Sequence, residues 1–407
     1  MPYWRNREND MLADRVNNLI PSITVELNAK VAALKELGQD IIALNAGESD
    51  FNTPLEIVDE CKHALDAGKT KYVPSSGIKC LRELICNKLL VENGVVYAPE
   101  DIVVTTGAKQ ALYNAVMAIC NPGDEIIIPM PCWVSYVEMI KLAGGVPIMV
   151  PTDASYHLDI DAIQLAITNK TKAIIINTPN NPTGAVYSRI VLEKLAQLAL
   201  SHNLYIISDE IYEKLIYENR LHVCFSSLDE SVKDHTILIG GFSKAFAMTG
   251  WRLGYSASPA PIAKAMSALQ GHITSNSTSF VQWAAMAAFQ PGMENHIQQM
   301  QMEFGKRRDL IYRCIQRIPN IFCPQPEGAF YIFPDVHTYF GTKAPGGAVI
   351  DSAPTLCNYL LEAAKTVVIP GDAFYAPHCI RISYANSQEN IQLGMARLQA
   401  AFAQLHT

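Results

Sequence analysis

Short apolar runs alternate with amphipathic helical patterns through the middle of the chain. Continuous apolar runs of this length are typical of strands that are buried on both faces. They occur at residues 101–105, 125–128, 172–177, 204–208 and 236–240. Helical patterns separate them, one opening at Gly107 and another covering residues 188–201. This alternation predicts an α/β fold with a mainly parallel sheet covered by helices on both faces.

The two ends of the chain follow a different pattern. It is helical at 16–38, with an interruption at Pro21, helical again at 300–318, and strand-like at 328–333 and 379–384. Short strands among helices predict a smaller α+β domain. We expect the N-terminal helix to pack with it, which makes this domain discontinuous in sequence. The expected division is an N-terminal segment at 1–48, a large domain at 49–290 and a small C-terminal domain at 291–407.

Composition and charge narrow the class of protein. With 407 residues, 49% apolar and 17% charged, the chain is globular and too long for one simple core. A formal net charge of -7 argues against nucleic acid or an anionic membrane as partner. The first ten residues are charged where a signal peptide needs an apolar run, and no run is long enough to span a membrane. The ten cysteines lack metal-ligand spacing, so we expect a cytoplasmic protein without a metal site.

In an open parallel sheet, ligands bind beyond the carboxyl ends of the strands, so the residues after each strand are candidates for chemistry. The first strand is followed by Thr105–Lys109, a small turn that opens a helix. Such a turn presents free N–H groups to an anion, or it is an ordinary strand–helix connection. The third strand is followed by Thr178–Gly184, where Asn and Pro favour a rigid loop and Asn181–Pro182 is a candidate cis peptide.

The last two of these strands end in ionisable residues. Asp209 follows the fourth, either as a helix N-cap or as a carboxylate that faces a cationic ring nitrogen. Lys244 follows the fifth, at a place poorly suited to a core and well suited to Schiff-base chemistry. Ser243 and Arg252 add groups that bind phosphate. A single lysine is usually solvated surface, but four such clusters at strand ends are hard to explain in that way.

Three motifs carry a resemblance to a known family. They are SKAFAMTGWRLGY at 243–255, NTPNNPTG at 177–184 and SDEIYE at 208–213. With these motifs the chain closely resembles the class I aminotransferases of fold type I, over residues 22–389. Within that family it is similar to bacterial aspartate aminotransferases of the prokaryotic subgroup. The resemblance implies a large domain that binds pyridoxal 5'-phosphate and a reaction with a ping-pong mechanism.

By this resemblance, Lys244 holds the cofactor aldehyde as a Schiff base and then shuttles a proton for the substrate. Asp209 pairs with the pyridine nitrogen, which makes the ring an electron sink. Tyr212 and Asn181 hydrogen-bond the phenolic oxygen, and Trp133 stacks on the ring. The alternative for Trp133 is an ordinary interior aromatic residue.

The resemblance also implies a phosphate site. Its residues are Gly107, Ala108, Lys109, Ser243 and Arg252. Many relatives have Ser three positions before the Schiff-base lysine, where this chain has Gly241, so one side-chain contact is missing. Tyr72 resembles the tyrosine that reaches the phosphate of the neighbouring subunit, which implies a homodimer.

The substrate residues follow in the same way. Arg381 is implied to bind the α-carboxylate bidentately, with a backbone contact from Gly47 and further contacts from Trp133 and Asn181. The alternative for Arg381 is an exposed strand residue. Relatives usually have Pro where this chain has Ser49, so this loop is expected to differ slightly.

Lys109 is the residue that bears most on the choice of substrate. In the similar subgroup a lysine here helps to hold the distal carboxylate of aspartate or glutamate, and Ser22 and Thr24 lie near the substrate entrance. A buried cation that faces a dicarboxylate discriminates strongly against apolar substrates. The alternative is a solvated helix residue. The expected reaction is transamination between L-aspartate and 2-oxoglutarate, with prephenate amination as the alternative within the subgroup.

Functions of other classes are open to the same residues. A pyridoxal-phosphate-dependent carbon–sulfur lyase could share Lys244, Asp209 and Arg381. A regulator built on this fold would carry a DNA-binding module, for which we expect no room in the short N-terminal segment. A nicotinamide enzyme would need G-x-G-x-x-G after the first strand, where this chain has Gly-Ala-Lys.

Overall fold

The computed structural model describes residues 12–17, 19–20, 23–218 and 220–406. The strands, in chain order, are β1 Ile42–Ala43, β2 Ile102–Thr105, β3 Glu125–Met130, β4 Val146–Pro151, β5 Thr171–Asn177, β6 Tyr205–Asp209, β7 Thr236–Gly241, β8 Gly254–Ala257, β9 Tyr331–Ile332, β10 Thr366–Val367, β11 Ile369–Pro370 and β12 Ile380–Ser383.

The helices surround these strands. In chain order they are α1 Asp14–Asn17, α2 Ile23–Glu36, α3 Leu55–Asp66, α4 Lys79–Asn93, α5 Gly107–Ile119, α6 Val134–Leu142, α7 Ile160–Ala166, α8 Arg189–Ser201, α9 Glu230–Lys233, α10 Ala260–Ile273, α11 Ser279–Ala284, α12 Met293–Ile315, α13 Ala353–Ala364 and α14 Gln388–Phe402. None of the helices in the described residues is both long and apolar enough to cross a membrane.

The large sheet has seven strands in the order β2-β8-β7-β6-β5-β3-β4. Neighbouring strands from β4 to β7 run parallel, and β8 runs antiparallel to both β7 and β2. Its central strands are apolar in their middle parts, as in β5, where Ala173 to Ile176 are buried. This confirms the predicted α/β fold with a mainly parallel sheet.

The antiparallel β8 decides where one site residue lies. Because β8 runs against its neighbours, its first residue, Gly254, lies at the edge where β2 and β7 end. Arg252, two residues before this strand, is therefore brought to the same edge as the residues that follow the parallel strands. The sequence analysis did not recognise β8 as a strand, because it begins inside the motif at residues 243–255.

A second group of strands involves the C-terminal part of the chain. There β11, β12 and β9 form an antiparallel sheet, and β1 pairs in parallel with β10 through Ile42 and Thr366. Leu44, just after β1, is fully buried in the apolar cluster formed with α12, α13 and α14. The chain just before residue 48 therefore packs with C-terminal elements. The division into domains and its boundaries at 48 and 290 stay predictions.

Several elements differ in extent from the sequence prediction. The predicted helix at 300–318 begins earlier and ends earlier, since α12 covers Met293–Ile315. The helical pattern at 16–38 is split into α1 and α2, and Pro21 between them lies outside the described residues. Strand β4 was not predicted because it is an edge strand that contains proline and leaves Val146 and Met149 half exposed.

Candidate active site

A cavity of about 380 Å³ opens at the carboxyl edge of the large sheet. Most of the residues expected in the site line it: Gly47, Ala108, Lys109, Trp133, Asn181, Asp209, Tyr212, Ser243, Lys244, Arg252 and Arg381. They follow β1, β2, β3, β5, β6 and β7, precede β8, or lie in β6 or β12. The structure therefore brings together residues that are more than 300 positions apart, from Gly47 to Arg381.

Lys244 lies in the interior of this site. Its ammonium group donates a hydrogen bond to the backbone carbonyl of Gly47. Burial and the nearby Arg381 guanidinium lower the pKa of Lys244 to about 8. No carboxylate lies within ion-pair distance of its nitrogen in the described part of the chain. A lysine in this state keeps a neutral fraction that can act as nucleophile and base.

Asp209 ends β6 with its carboxylate inside the cavity. The carboxylate accepts hydrogen bonds from the Tyr136 hydroxyl at 2.7 Å and from the backbone N–H of Ile211 at 3.2 Å. Burial raises the pKa of Asp209 to about 6, against the lowering effect of these two bonds. A buried carboxylate of this kind is well placed to pair with a cationic ring nitrogen.

The loop after β5 is fixed by buried amides. Asn177 donates to the backbone carbonyl of Asp209 at 2.9 Å, and its own side-chain oxygen accepts from the N–H of Asn181 at 2.8 Å. The bond between Asn181 and Pro182 is cis, as the sequence suggested. The side chain of Asn181 then accepts from Arg381 at 3.0 Å. This chain of amides joins Asp209 on one strand to Arg381 on another sheet.

Arg381 is a buried cation with neutral neighbours. It is 2% exposed and donates to Asn181 and to the backbone carbonyl of Asn45, while its Nε has no hydrogen-bond partner. The rings of Tyr331 and Phe374 lie 4.3 and 4.8 Å from its guanidinium carbon. Among the residues that the structure describes, no carboxylate pairs with it. A buried, unpaired guanidinium is prepared to bind a carboxylate from a ligand.

An anion cradle lies where α5 begins. Gly107 has a positive φ of 77°, and a Cβ built on it would lie 2.6 Å from Nη2 of Arg252. A Cβ on Gly254 would lie 2.4 Å from the backbone nitrogen of Ala108. Only glycine permits these approaches, which bring the guanidinium beside free N–H groups at the helix start. Ser243 adds a hydroxyl, so the donors fit a phosphate group.

Gly241, which stands where many relatives have Ser, lies in a crowded part of the structure. A Cβ there would lie 3.0 Å from Cδ1 of Ile211 and 3.1 Å from Cα of Gly254. A serine at this position would press on both neighbours. The donors that remain at the cradle are backbone N–H groups, Ser243 and Arg252.

Lys109 and Trp133 form one wall of the cavity. The Lys109 ammonium lies 4.6 Å from the centre of the Trp133 ring. Burial, and then the charge of Arg252, lower the pKa of Lys109. Within the described ranges, Lys109 has no carboxylate partner. Lys109 lines the cavity and its side chain is also exposed to solvent, so the two expected roles, a substrate contact and a solvated helix residue, both stay predictions.

Some expected residues lie elsewhere. Tyr72 is 89% exposed and does not line the cavity of its own chain. Gly107 acts through its close contact with Arg252 and is not itself a lining residue. Ser49 donates to the Met300 sulfur at 3.6 Å. Ser22 lies outside the described residues, and for Thr24 only the backbone is described.

The sequence analysis missed further cavity residues. Tyr136, Asn177 and Tyr331 line the cavity, and all three contact residues that had been predicted. Tyr136 belongs to the segment after β3 that had drawn attention only for Trp133. Tyr331 lies in the short strand β9, whose apolar pattern gave no reason to separate it from core aromatics.

A second cavity of about 410 Å³, here called the back cavity, lies behind the same segments. Gly241, Phe242 and Ala245 line it, whereas Ser243 and Lys244 line the first cavity. Glu213 lines the back cavity, next in sequence to Tyr212 in the front. The described residues contain no cluster of His, Cys, Asp or Glu suited to a metal ion.

A buried lysine, a buried carboxylate and an anion cradle around one cavity define a site for a phosphorylated aldehyde with a cationic ring, as in fold type I pyridoxal-phosphate enzymes. Comparison with known proteins agrees. The pattern of the aminotransferase class I and II family matches residues 39–398. The chain belongs to this family and is a pyridoxal-phosphate-dependent aminotransferase.

Individual relatives match over their full length. An aspartate aminotransferase of Bacillus sp. (strain YM-2) is 44% identical over 391 residues, which cover 96% of this chain and 98% of that protein. A probable aspartate/prephenate aminotransferase of Aquifex aeolicus is 43% identical over 397 residues, covering 97% and 99%. The solved structure of an aspartate aminotransferase from Thermus thermophilus with maleate matches with a TM-score of 0.90 at 40% identity, over 96% of this chain and 99% of that one.

Proposed function

We propose that this enzyme transfers the amino group between L-aspartate and 2-oxoglutarate. The observation that carries the proposal is the presence of two cations, Arg381 and Lys109, that line one cavity without carboxylate partners among the described residues. Aspartate, glutamate and their oxo acids each have two carboxylates. A dicarboxylate would pair both cations, whereas an apolar substrate would leave Lys109 without a carboxylate partner.

The cofactor would be held by the residues already described. Ser243, Arg252 and the start of α5 would bind the phosphate, Asp209 the ring nitrogen, and Tyr212 and Asn181 the phenolic oxygen. Trp133 would pack on the ring. Bound pyridoxal phosphate supplies an aldehyde and an electron-withdrawing ring.

The chain's own groups would do the rest. Arg381 would orient the α-carboxylate with two parallel hydrogen bonds, assisted by Asn181 and the backbone of Gly47. Lys244, displaced by the substrate amine, would move the proton at the α-carbon. Its pKa of about 8 gives it a neutral fraction near physiological pH. Asp209, with its pKa of about 6, would be ionised at the same pH.

The names of the relatives support the acidic substrate. The protein of Bacillus sp. is an aspartate aminotransferase, and the Thermus thermophilus structure was solved with maleate, a dicarboxylate. A second candidate is favoured by the Aquifex aeolicus relative, whose name includes prephenate. Prephenate also carries two carboxylates, so the same pair of cations would suit it.

A panel of amino donors and oxo acids tests the proposal. We expect the highest kcat/KM with aspartate and 2-oxoglutarate, with prephenate included as acceptor. A higher value for prephenate would move the assignment to the second candidate. Release of ammonia and pyruvate without a new amino acid would instead indicate the carbon–sulfur lyase.

Lys109→Ala tests the distal contact. We expect KM for aspartate to rise by about tenfold or more, and KM for an aromatic amino acid to change much less, because only aspartate loses a charge-assisted bond. Lys172→Ala is the matched control, since Lys172 also lies over a ring, that of Tyr205 at 5.6 Å, outside the cavity. Equal changes for both substrates would remove Lys109 from the specificity site.

A homodimer would complete the phosphate site with Tyr72. Its side chain is 89% exposed, as expected for a residue that serves a neighbouring subunit. Lys244→Ala and Tyr72→Ala should each be weakly active alone. A 1:1 mixture of the two variant subunits should regain up to a quarter of the wild-type activity, because half of the dimers are hybrids and each hybrid has one of its two sites intact. Light scattering should give twice the mass of one chain, and a monomer with full activity would contradict the proposal.

A further inference from the structure

Tyr331 is a cavity residue to which the proposed function gives no role. It lies in β9, where it pairs with Ser383 of β12, and it is 1% exposed. Its side chain lines the active-site cavity. A large polar side chain buried at this place is expected to have a partner for its hydroxyl and a packing surface for its ring.

The ring of Tyr331 lies against Arg381. The guanidinium carbon is 4.3 Å from the ring centre, and Phe374 lies 4.8 Å away from the same carbon. Because Arg381 has no carboxylate partner among the described residues, these rings and two neutral acceptors hold the charge. An aromatic face attracts a desolvated guanidinium and fixes the plane of its fork.

The hydroxyl of Tyr331 lies at the other half of the site. It forms a hydrogen bond of 2.9 Å with the hydroxyl of Tyr212. Burial raises the pKa of both tyrosines, so both hydroxyls keep their protons. When Tyr331 donates, the single proton of Tyr212 is left available to the cavity.

The Tyr331 hydroxyl also restricts the size of the residue that can stand at position 47. A Cβ on Gly47 would lie 3.0 Å from it, which leaves room for glycine and little more. The carbonyl of Gly47 in turn accepts the hydrogen bond of Lys244. Tyr331 thus contacts Tyr212 and Arg381 and borders Gly47.

We propose that Tyr331 is a positioning residue that couples the carboxylate-binding and cofactor-binding halves of the site. Its ring orients Arg381 for the α-carboxylate, and its hydroxyl orients the Tyr212 hydroxyl for the phenolic oxygen of the cofactor. The inference rests on the roles proposed above for Arg381 and Tyr212. The two parts of this role can be tested separately, because the hydroxyl can be removed while the ring is kept.

Two variants separate them. Tyr331→Phe keeps the ring and removes the hydroxyl, and Tyr331→Leu removes both. Tyr384→Phe is the matched control, since Tyr384 is fully buried in the same region and does not line the cavity. Thermal melting of each holoenzyme shows that the variants are folded.

The first readout is the pH midpoint of the visible absorbance of the holoenzyme. In Tyr331→Phe, we expect Tyr212 to donate a weaker hydrogen bond to the phenolic oxygen of the cofactor. That oxygen then keeps more negative charge beside the Lys244 nitrogen, so the nitrogen holds its proton more tightly. We expect the midpoint to rise by about half a pH unit. Tyr212→Phe should shift it further in the same direction.

The second readout is the binding of maleate, measured by calorimetry. We expect Tyr331→Leu to weaken it about tenfold, because the guanidinium loses one of its two rings, and Tyr331→Phe to weaken it at most about twofold. The inference is overturned if both variants match Tyr384→Phe in both readouts. Arg381→Lys separates this from a failure of the proposed function. If Arg381→Lys weakens maleate binding and Tyr331→Leu does not, Arg381 keeps its role and only the coupling is lost.

Discussion

The active-site cavity and the back cavity share two lining segments, residues 209–213 and 241–245, and have similar volumes, about 380 and 410 Å³. They differ in how their charges are paired. In front, the described residues offer no carboxylate partner to Lys244, Lys109 or Arg381. Behind, Glu213 accepts from Lys88 and, at 3.0 Å, from Asn93.

The pairing behind the site is extensive. Glu210, which follows Asp209 in sequence, turns away from the cavity and accepts from Ser208 and from the N–H of Phe225, each at 2.9 Å. It also pairs with His222, another residue that lines the back cavity. Burying charges without partners is costly, so the fold permits it only where a ligand will supply them. Cavity size therefore does not identify the site, but unpaired charge does.

The strongest test of the front cavity is Lys244→Ala. We expect the purified protein to lose its yellow absorbance and its activity to fall by roughly 10⁴-fold, because no other group can replace the amine. Borohydride reduction followed by mass spectrometry should find cofactor on the wild-type peptide and none on the variant. Lys172→Ala should remain yellow. A Lys244→Ala protein in which the cofactor is still reduced onto the chain would disprove the assignment.

A substitution at the back cavity should change the stability of the protein and leave its catalytic activity largely unchanged. Burial alone would raise the pKa of Glu213, but the charges of Lys88, His222 and Lys214, together with the Lys88 hydrogen bond, outweigh it and lower the pKa to about 2. Glu213→Gln leaves Lys88 without its main partner and should lower the free energy of unfolding by about 3 kcal/mol. We expect kcat/KM to change less than about tenfold. Glu193→Gln, which breaks an exposed pair with Arg189, should change stability by less than about 1 kcal/mol.

The stability that Glu213→Gln loses should depend on pH in a defined direction. The pKa of Glu213 is lowered on folding from 4.5, so its contribution is present above that pH and is lost as the pH falls towards 2. Urea unfolding of the wild type and Glu213→Gln should therefore differ at pH 7 and converge as the pH falls to about 2. Curves that stay apart in acid would show that the pair is not the source of the difference.

Asp209→Asn should change the stability of the apoprotein in the opposite direction. Folding raises the pKa of Asp209 from 3.8 to about 6, so its ionised form destabilises the apoprotein above that pH. Asn should stabilise the apoprotein at pH 7 by up to about 3 kcal/mol, since each pKa unit is worth about 1.4 kcal/mol, while cofactor affinity falls. Exposed Asp66→Asn is the control. A less stable Asp209→Asn apoprotein would reverse the interpretation.

Much of the site could be predicted because strand ends in a parallel sheet meet at one edge. Asp209, Asn181 and Lys244 follow apolar runs that can only be buried strands, and their place was therefore fixed by the pattern. Tyr331 escaped this reasoning because it comes from another sheet. Tyr136 escaped because a tyrosine one helical turn beyond Trp133 is equally suited to a core.

The sequence by itself determined the fold class, the family and most of the expected residues that line the active-site cavity, since local periodicity and motifs are properties of the chain. Only the tertiary structure decided which charges are paired. Lys88 and Lys109 look alike in sequence, yet Lys88 meets Glu213 across 125 positions and Lys109 meets a tryptophan ring. Pairing depends on contacts between distant segments, and these exist only once the sheet has brought its strand ends together.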